Sequence, residues 1–564
     1  MSRHQDRPSR PARTLAVIIV VAAALRFAQL GSKALWLDEA MTVLIALGRG
    51  ASDVPVGSVQ PIAAVADIFT LSPAARVADV VRRLKDPIIQ HTHPPLFYVL
   101  AHGWFTVHSP SPASLAWWSR APAAFFGIAA VFVIFRLGRA VASDRAGLIA
   151  AASAAVSPLM VMISQEARNY TLPLVCVTAA FLLLVRILDR LAEPEPAGPL
   201  LWSAWAAANI AGCYAHYYVL LSIAAQVITL AAMMRSRVRS ALLPLMLSTA
   251  TIAAAFLPWA PTFAAHARSP EQAWMRETNP GVYVYDTLRA WQAMVQGWPL
   301  DTSSPQVWWL AARMAIGVAL LVAFIAGAAL IARDRERPAT AAMAWLVTIT
   351  VGLLWMASAL QQKNLTGEYR YHFVYYPALI ALFGAVLAML RPWVSAMVVA
   401  LGVANSILLV GGREFPKPTR PREVAAIVDG ATSGPALVTI GEASYHETVV
   451  GLTFLREIAA QAGGRSDAQF LFIRRSDRYP TFVPGDSDPD VFWSRFAAAN
   501  PQLPATLWVW SVASRPQDYP ERVAVSSPVA TSCTRDAREA NRTLADDDGT
   551  RGPFRLYRCA SVAQ

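Results

Sequence analysis

Charge is what this chain has least of. Of its 564 residues only 15% are Asp, Glu, Lys or Arg, against roughly 25% in an average soluble domain. Hydrophobic residues make up 55%, and the mean hydropathy is +0.39. One soluble core cannot absorb that much apolar sequence, which excludes an ordinary soluble enzyme. Cysteine is scarce too: there are four, none at a zinc spacing. Cys176 and Cys213 lie in apolar runs and read as inert packing residues. Cys533 and Cys559 lie in a polar C-terminal region. No internal repeat stands out. The formal net charge is +12, yet no zinc-finger or RNA-binding signature goes with it. The Arg residues cluster instead in short loops between apolar runs, the positive-inside bias of a multipass protein, with some Arg left over for an anionic ligand.

What is abundant is apolar runs of membrane length, about 20 residues each. A basic tail, residues 1–13, precedes the run Thr14–Leu30. No small-residue cleavage site follows, so this reads as an uncleaved first helix with a cytoplasmic N-terminus. Residues 31–115 form a long external loop. The following runs are Trp117–Leu137, Ala146–Ile163, Leu172–Leu188, Leu200–Tyr214, Tyr218–Met234, Ala241–Trp259, Gln306–Ala332, Thr340–Ala359, Phe373–Leu390 and Trp393–Val410. About eleven spans result, and every basic turn (Arg136 to Arg145, MRSRVRS, RDRERP) falls on the inside, as the charge rule requires. The stretch HPPLFYVLAHGWFTVH (93–108) is apolar but short. Read as a span it would invert the Arg136–Arg145 turn, so it is placed outside, at the membrane surface. Arg26, near the outer end of the first span, is expected to snorkel to the headgroups.

From residue 411 the composition turns polar. The β-like runs ALVTI (436–440), FLFI (470–473) and LWVWSV (507–512) alternate with helical stretches. The expected architecture is an all-α polytopic membrane domain over 14–410 and a small extracytoplasmic α/β domain over 411–564. Cys533 and Cys559 are expected to pair, since an external compartment permits disulfides.

Four polar clusters fall on the external side of this topology: Asp38-Glu39 in LWLDEA, HTHPPL (91–96), SQEARNY (164–170) and KNLTGEYRYH (363–372). HYY (216–218) is a fifth candidate. Their residue types fit one reaction. A carboxylate takes a proton from an acceptor hydroxyl as its oxygen attacks a sugar carbon. Arg168, Lys363 and Arg370 supply positive charge for a departing lipid phosphate. Each cluster also has a plainer reading. Asp38 and Glu39 suit a helix N-terminus, and Glu166 with Arg168 suits a surface ion pair. His216 with its two tyrosines suits an interfacial aromatic belt. His91 and His93 have metal-ligand spacing, but two histidines do not make a site. No cofactor or metal is required by this chemistry.

The ordered set L-W-L-D-E-A, H-P-P-L, Q-E-A-R-N-Y and R-Y before an apolar span containing P-A-L resembles the lipid-linked-sugar glycosyltransferases of the C-type fold. The resemblance is to the Rgt-like branch, akin to the protein O-mannosyltransferases and the aminoarabinose transferases of lipid A, and it covers roughly residues 14–390. It implies a polyprenyl-phosphate sugar donor, transfer on the external face and, in most members, inversion at the anomeric carbon. It implies Asp38 as catalytic base and Glu166 as the second acidic residue. It places Arg168, Tyr170, Arg370 and Tyr371 at donor-phosphate positions. The C-terminal region matches nothing in the resemblance.

The reading is therefore a glycosyltransferase of the plasma (inner) membrane with its active face outside. It passes a hexosyl or pentosyl group from a polyprenyl phosphate to a glycan, lipid or protein acceptor. Asp38 acts as base, Glu39 and Glu166 orient the acceptor, Lys363 assists the phosphate, and His93 and His216 line the substrate site. Nucleic acid is no partner. The rivals are a transporter or flippase of lipid-linked sugars, which would carry charges at mid-membrane, and a non-catalytic envelope scaffold.

Overall fold

The computed structural model describes residues 10–86, 89, 91–193, 197–233, 238–269, 275–296, 338–412, 421–431, 434–442, 444–461, 468–474, 489–499, 501, 506–511, 520–525, 531–536 and 555–561. The expected span Gln306–Ala332 and the turns MRSRVRS and RDRERP fall wholly or largely outside them. Among the described residues, five helices are long and apolar enough to cross a membrane: Leu115–Val141, Thr171–Leu191, Ala241–Ala267, Pro338–Gln361 and Pro392–Val410. A sixth candidate is the pair Asp144–Ala155 and Pro158–Ser164, bent by 59°. Other expected spans are shorter or more charged. Helix α1 (Arg10–Phe27) carries Arg10, Arg13 and Arg26. Val219–Met233 and Tyr376–Met389 are apolar but have 15 and 14 residues. The count of eleven is thus an expectation that the described helices meet only in part.

The bend has a local cause. Proline disfavours helical geometry in the residue before it, and Ser157, ahead of Pro158, is extended (φ −67°, ψ 121°). The chain leaves α5 (Asp144–Ala155) and restarts as α6 (Pro158–Ser164), with Pro158 in the first turn, where its missing N–H costs nothing. The carbonyls freed at the end of α5 are taken by Arg26. Its Nη1 donates to Ala155 at 2.9 Å and its Nη2 to Ala154 at 3.2 Å. Arg26 is fully buried, which corrects the expectation that it snorkels. A helix C-terminus is a negative end, and inside the protein it satisfies the guanidinium better than distant headgroups would.

Small residues let these helices touch. A Cβ on Gly147 would lie 2.6 Å from the Phe135 carbonyl, and one on Gly384 would lie 2.5 Å from the Ala146 carbonyl. Helices α4 (Leu115–Val141), α5 and Tyr376–Met389 therefore meet backbone to backbone, as small-residue interfaces allow in membranes.

The segment between α1 and α4 is not an open loop. It folds into α2 (Leu37–Ala46), several short turns, and α3 (Leu96–His108), which buries Phe97, Tyr98, Ala101, His102 and Phe105. The surface segment 93–108 is thus mostly one short helix, tied by His102 Nδ1 to the Ala46 carbonyl at the end of α2 (2.8 Å). The same segment contributes a two-residue strand, β1 (Gln60–Pro61), to the C-terminal sheet.

That sheet holds β2 (Ala436–Glu442), β3 (Ala468–Arg474), β4 (Thr506–Ser511), β5 (Arg522–Val525), β6 (Thr531–Arg535) and β7 (Arg555–Ser561) in the order β1-β3-β2-β4-β7-β6-β5. The strands β2, β3 and β4 are parallel, and the others pair antiparallel. Every residue of β2 is buried, as a central parallel strand covered on both faces requires. One face packs on the helix Tyr445–Gln461, here α7. That helix in turn packs on α2, and Ala40, Val43, Leu44, Val449, Leu452, Leu455, Ile440 and Phe472 share one core. The composition break at 411 therefore marks a change of solvent, and the sheet still shares a core with the helix that carries Asp38.

Cys533 and Cys559 stand opposite each other on β6 and β7 and form the expected disulfide. It closes a separation of 26 residues, for which the chain-entropy scale gives about 3 kcal/mol. Reduction, or Cys533→Ser with Cys559→Ser, should speed proteolysis of the sheet by lowering its stability by about that amount. Pulse proteolysis with and without reductant measures it. Equal rates would remove the disulfide as a stabiliser.

Candidate functional site

The site begins at the N-terminus of α2. Asp38 and Glu39 both lie in its first turn, where carboxylates are favoured by the helix dipole. One residue of helix is about 100° of rotation, and it sends them to different neighbours. Glu39 is 1% exposed. Arg120 of α4 grips it with two hydrogen bonds of 2.7 Å, from Nε to Oε1 and from Nη2 to Oε2. The same guanidinium donates to the carbonyls of Leu30, Lys33 and Ala34. The Ala167 N–H donates to Glu39 Oε1 at 2.8 Å. Glu39 is thus a buried tie between α2, α4 and the SQEARNY turn, where the sequence reading has it orienting an acceptor.

Asp38 keeps 25% of its side chain exposed, against 4% for Arg168 and 11% for Arg370. Both arginines converge on one of its oxygens: Arg168 Nη2 at 3.6 Å and Arg370 Nη1 at 3.5 Å from Oδ2. Arg370 also faces Glu368 (3.2 Å) and buried Glu166 (3.8 Å). The Tyr170 ring lies under both guanidiniums, at 5.7 Å from Arg168 and 5.5 Å from Arg370, and Trp36 lies under Arg370 at 5.1 Å. Two like charges side by side are tolerated because three carboxylates and two aromatic faces surround them. Burial works against the charge of Arg168, and Asp38 and then Tyr170 outweigh it, so its pKa is raised.

The turn that carries Glu166 and Arg168 is held from three sides. Gln165 Nε2 donates to the carbonyls of Leu25 (3.0 Å) and Ala28 (2.8 Å) at the end of α1. Ala167 is held by Glu39, and Asn169 Nδ2 donates to the Ala215 carbonyl at 2.7 Å. This last bond places His216 beside the site. The His93 and His216 rings are 5.3 Å apart, and Tyr371 lies 6.1 Å from His216 and 6.2 Å from Tyr170. Arg168 Nη2 donates to His93 Nε2 (2.8 Å), and the Tyr218 N–H donates to His216 Nδ1 (3.2 Å). Those bonds assign the protons to His93 Nδ1 and His216 Nε2. Four N–H groups in this cluster then lack an acceptor among the described residues: Arg168 Nε, Arg370 Nε, His93 Nδ1 and His216 Nε2.

Both histidines are held neutral. Burial, then Arg168, pushes His93 well below the usual histidine value. Burial, then Arg168 and Arg370, pulls His216 down to about 3. His91 is likewise lowered, by burial and then Arg168. In the unfolded chain all three titrate near 6.5. Between that value and the depressed ones the unfolded state binds the extra protons, so stability is present above about pH 6.5 and is lost as pH falls. Thermal unfolding in detergent should show a falling midpoint from pH 7 to pH 4.5. A constant or rising midpoint would contradict neutral burial of these rings.

The structure brings together Asp38, Glu166, Arg168, Tyr170, His93, His216, Arg370 and Tyr371. Lys363 is turned to another part of the chain: its Nζ donates to the Ala267 carbonyl at 3.1 Å, and its backbone pairs with that of Arg276 in an isolated antiparallel bridge. Among the described residues no group of three or more His, Cys, Asp or Glu is set to hold a metal. Sequence reasoning missed Arg120, Glu368, Trp36 and Thr42. Trp36 and Glu368 stand inside the clusters LWLDEA and KNLTGEYRYH, and Arg120 stands inside the apolar run Trp117–Leu137, where charge is functional by default.

No family model matches the chain, and no curated protein matches it in sequence. Solved structures do. The chain is similar to ArnT from Cupriavidus metallidurans in the apo state, at 12% identity and a TM-score of 0.49 over 90% of this chain and 97% of that one. It is similar to an Archaeoglobus fulgidus oligosaccharyltransferase in complex with Zn and sulfate, at 12% identity and a TM-score of 0.48 over 88% and 68%. It is also similar to the mycobacterial arabinofuranosyltransferase AftD, at 17% identity and a TM-score of 0.42 over 98% of this chain and 42% of that one. Two of these matches are named as transferases, an oligosaccharyltransferase and an arabinofuranosyltransferase.

Proposed function

We propose that this chain is a membrane glycosyltransferase that moves a sugar from a polyprenyl-phosphate donor to an extracytoplasmic glycan, lipid or protein acceptor. The observation that carries the reading is the paired guanidiniums on one Asp38 oxygen, with four buried N–H groups around them that lack an acceptor among the described residues. An anion with several acceptor oxygens, such as a phosphodiester, satisfies that set of donors. Trp36, Tyr170 and Tyr371 offer aromatic walls beside them.

In this reading the donor phosphate takes Arg168 and Arg370 from Asp38. The carboxylate loses two counter-ions, its basicity rises, and it accepts the proton of the acceptor hydroxyl as that oxygen bonds the anomeric carbon. The bond from that carbon to the phosphate oxygen breaks, and the arginines hold the leaving lipid phosphate. Glu166 and Glu368 set the charge around Arg370. Glu39 positions Asp38 through Arg120. No step needs a metal.

Comparing glycolipids and envelope glycans by mass spectrometry, from cells with and without this gene, tests the function. A sugar missing from one product supports it and names the sugar and the acceptor. A purified protein that binds lipid-linked sugar but never transfers it supports a carrier instead. The proposed orientation in the plasma membrane puts the site outside. A cysteine replacing exposed Gln361 should react with an impermeant thiol reagent, and one replacing exposed Arg190 should not, with native thiols controlled. The opposite pattern would invert the topology.

A further inference from the structure

His372, the last residue of KNLTGEYRYH, takes no part in the chemistry above, yet it is fully buried and bonded at both ring nitrogens. Its Nε2 donates to the Thr366 carbonyl at 3.0 Å, and its Nδ1 meets the Tyr375 hydroxyl in a short hydrogen bond. Trp291 Nε1, from the helix Pro280–Gln296, donates to that same hydroxyl oxygen at 2.8 Å. Thr366 and Tyr375 bracket the 3₁₀ turn Tyr369–Val374, which carries Arg370. We infer that His372 is a positioning residue, which ties the two ends of this turn together and so fixes Arg370 against Asp38 for phosphate binding. The inference rests on the proposed function above.

The direction of each bond is forced from the two ends. An indole N–H only donates, so the Tyr375 oxygen accepts from Trp291. A carbonyl only accepts, so the His372 proton is on Nε2. In the neutral ring Nδ1 is then the acceptor, and Tyr375 gives it its one proton. The turn needs such ties. 3₁₀ helices have poor hydrogen-bond geometry and seldom exceed about 3–4 residues, and this one has six. The helix Pro280–Gln296 anchors the segment at its start, middle and end. Asp286 Oδ2 accepts from Asn364 Nδ2 at 2.6 Å, and Asn364 Oδ1 accepts from Thr366 Oγ1 at 2.6 Å. Arg289 bonds the Tyr369 hydroxyl and lies 4.9 Å over its ring. Trp291 holds Tyr375. Tyr369 is thus turned to that helix, while its neighbour Arg370 is turned to Asp38 (3.5 Å) and Trp36 (5.1 Å). His372 joins the first anchor to the last across the residue that meets the phosphate. Arg370 Nε lacks an acceptor among the described residues, so the turn presents that edge to a ligand.

The test uses the full-length protein in detergent, with undecaprenyl phosphate as the probe. His372→Ala and Tyr375→Phe should each weaken its binding about tenfold, the scale of one lost hydrogen bond. In an Arg370→Ala background neither change should weaken binding further, because both act through Arg370. His372→Gln, whose amide keeps one donor and one acceptor, should recover most of the affinity lost in His372→Ala. A merely structural histidine would give the same fractional loss with or without Arg370, and that pattern overturns the inference, as does full affinity in Tyr375→Phe. Guanidinium nitrogen NMR without ligand tests the geometry separately, on Tyr375→Phe, which removes only a hydroxyl. The Arg370 Nε resonance, assigned by its absence in Arg370→Lys, should shift strongly in Tyr375→Phe, and an unmoved resonance overturns the inference. If wild-type protein fails to bind the probe while that resonance moves, the positioning of Arg370 stands and the phosphate reading fails.

Discussion

Asp38→Asn should lower turnover by about 10²–10⁴-fold, the usual contribution of a positioned general base. Asparagine has nearly the shape of aspartate and a negligible basicity, so the loss isolates the proton transfer. Donor binding should move the other way. In the free protein Asp38 occupies one face of both Arg168 and Arg370, and a phosphate must displace it. Removing that competing charge leaves the arginines in search of a counter-ion, so the variant should bind a lipid phosphate at least as tightly as the parent. The fold should hardly change, because Asp38 is the partly open member of the acid pair. Arg370→Ala should do the reverse, losing binding as well as turnover, because a phosphate contact acts before and during the reaction. Single-turnover rates and equilibrium binding, measured on folded variants with the donor identified from the glycolipid comparison, separate these effects. A folded Asp38→Asn protein with near-normal turnover would remove Asp38 as the base and leave Glu166 as the next candidate.

The residues of this site were legible in the sequence because polar clusters stand out against apolar spans. LWLDEA, SQEARNY and the RY of KNLTGEYRYH each interrupt a run that has no packing need for charge, and the basic turns put them on one face. Their division of labour was not legible. Asp38 and Glu39 are neighbours in sequence, and only the rotation of α2 decides which meets Arg168 and which meets Arg120. Lys363 and Arg370 stand in one loop, only Arg370 at a donor-phosphate position of the resemblance, and the hydrogen bonds of Asn364 and Thr366 turn the chain between them. The break at Ser157 carried its signal in the Ser-Pro pair, but the apolar run continues through it, and hydropathy alone reads one straight span. The three parallel strands were found as apolar runs. The short strand β1 was not, because a two-residue pairing has no pattern of its own and depends wholly on β3 being there to receive it. Such long-range pairing is also why the C-terminal region read as separate when it shares a core with α2.

Arg120→Ala should be the most destabilising single change at the site, by about 3–5 kcal/mol, the cost of stranding one partner of a buried ion pair. The pair qualifies because both side chains are almost fully buried, at 3% and 2% exposure. The loss has three parts. Glu39 keeps a charge in a dry setting, with the Ala167 N–H still donating to it. The carbonyls of Leu30, Lys33 and Ala34 lose their shared donor. The link from α4 to the first turn of α2 goes with them, so Asp38 loses its register against Arg168. Glu39→Gln should be milder for the fold, since an amide oxygen still accepts from Ala167 and Arg120, but it leaves the guanidinium without its counter-charge. The double change Arg120→Met with Glu39→Met removes both charges, and replacing a buried pair by apolar groups is often neutral. Here recovery should be partial, because the Ala167 N–H and the three carbonyls stay unanswered, and each buried polar group left so costs about 1–3 kcal/mol. Chemical unfolding of the four proteins in detergent gives the order: parent, then Glu39→Gln, then the double variant, with Arg120→Ala last. An Arg120→Ala protein as stable as the parent would mean that water or lipid reaches Glu39. The tie between α4 and α2 would then be no more than a surface contact.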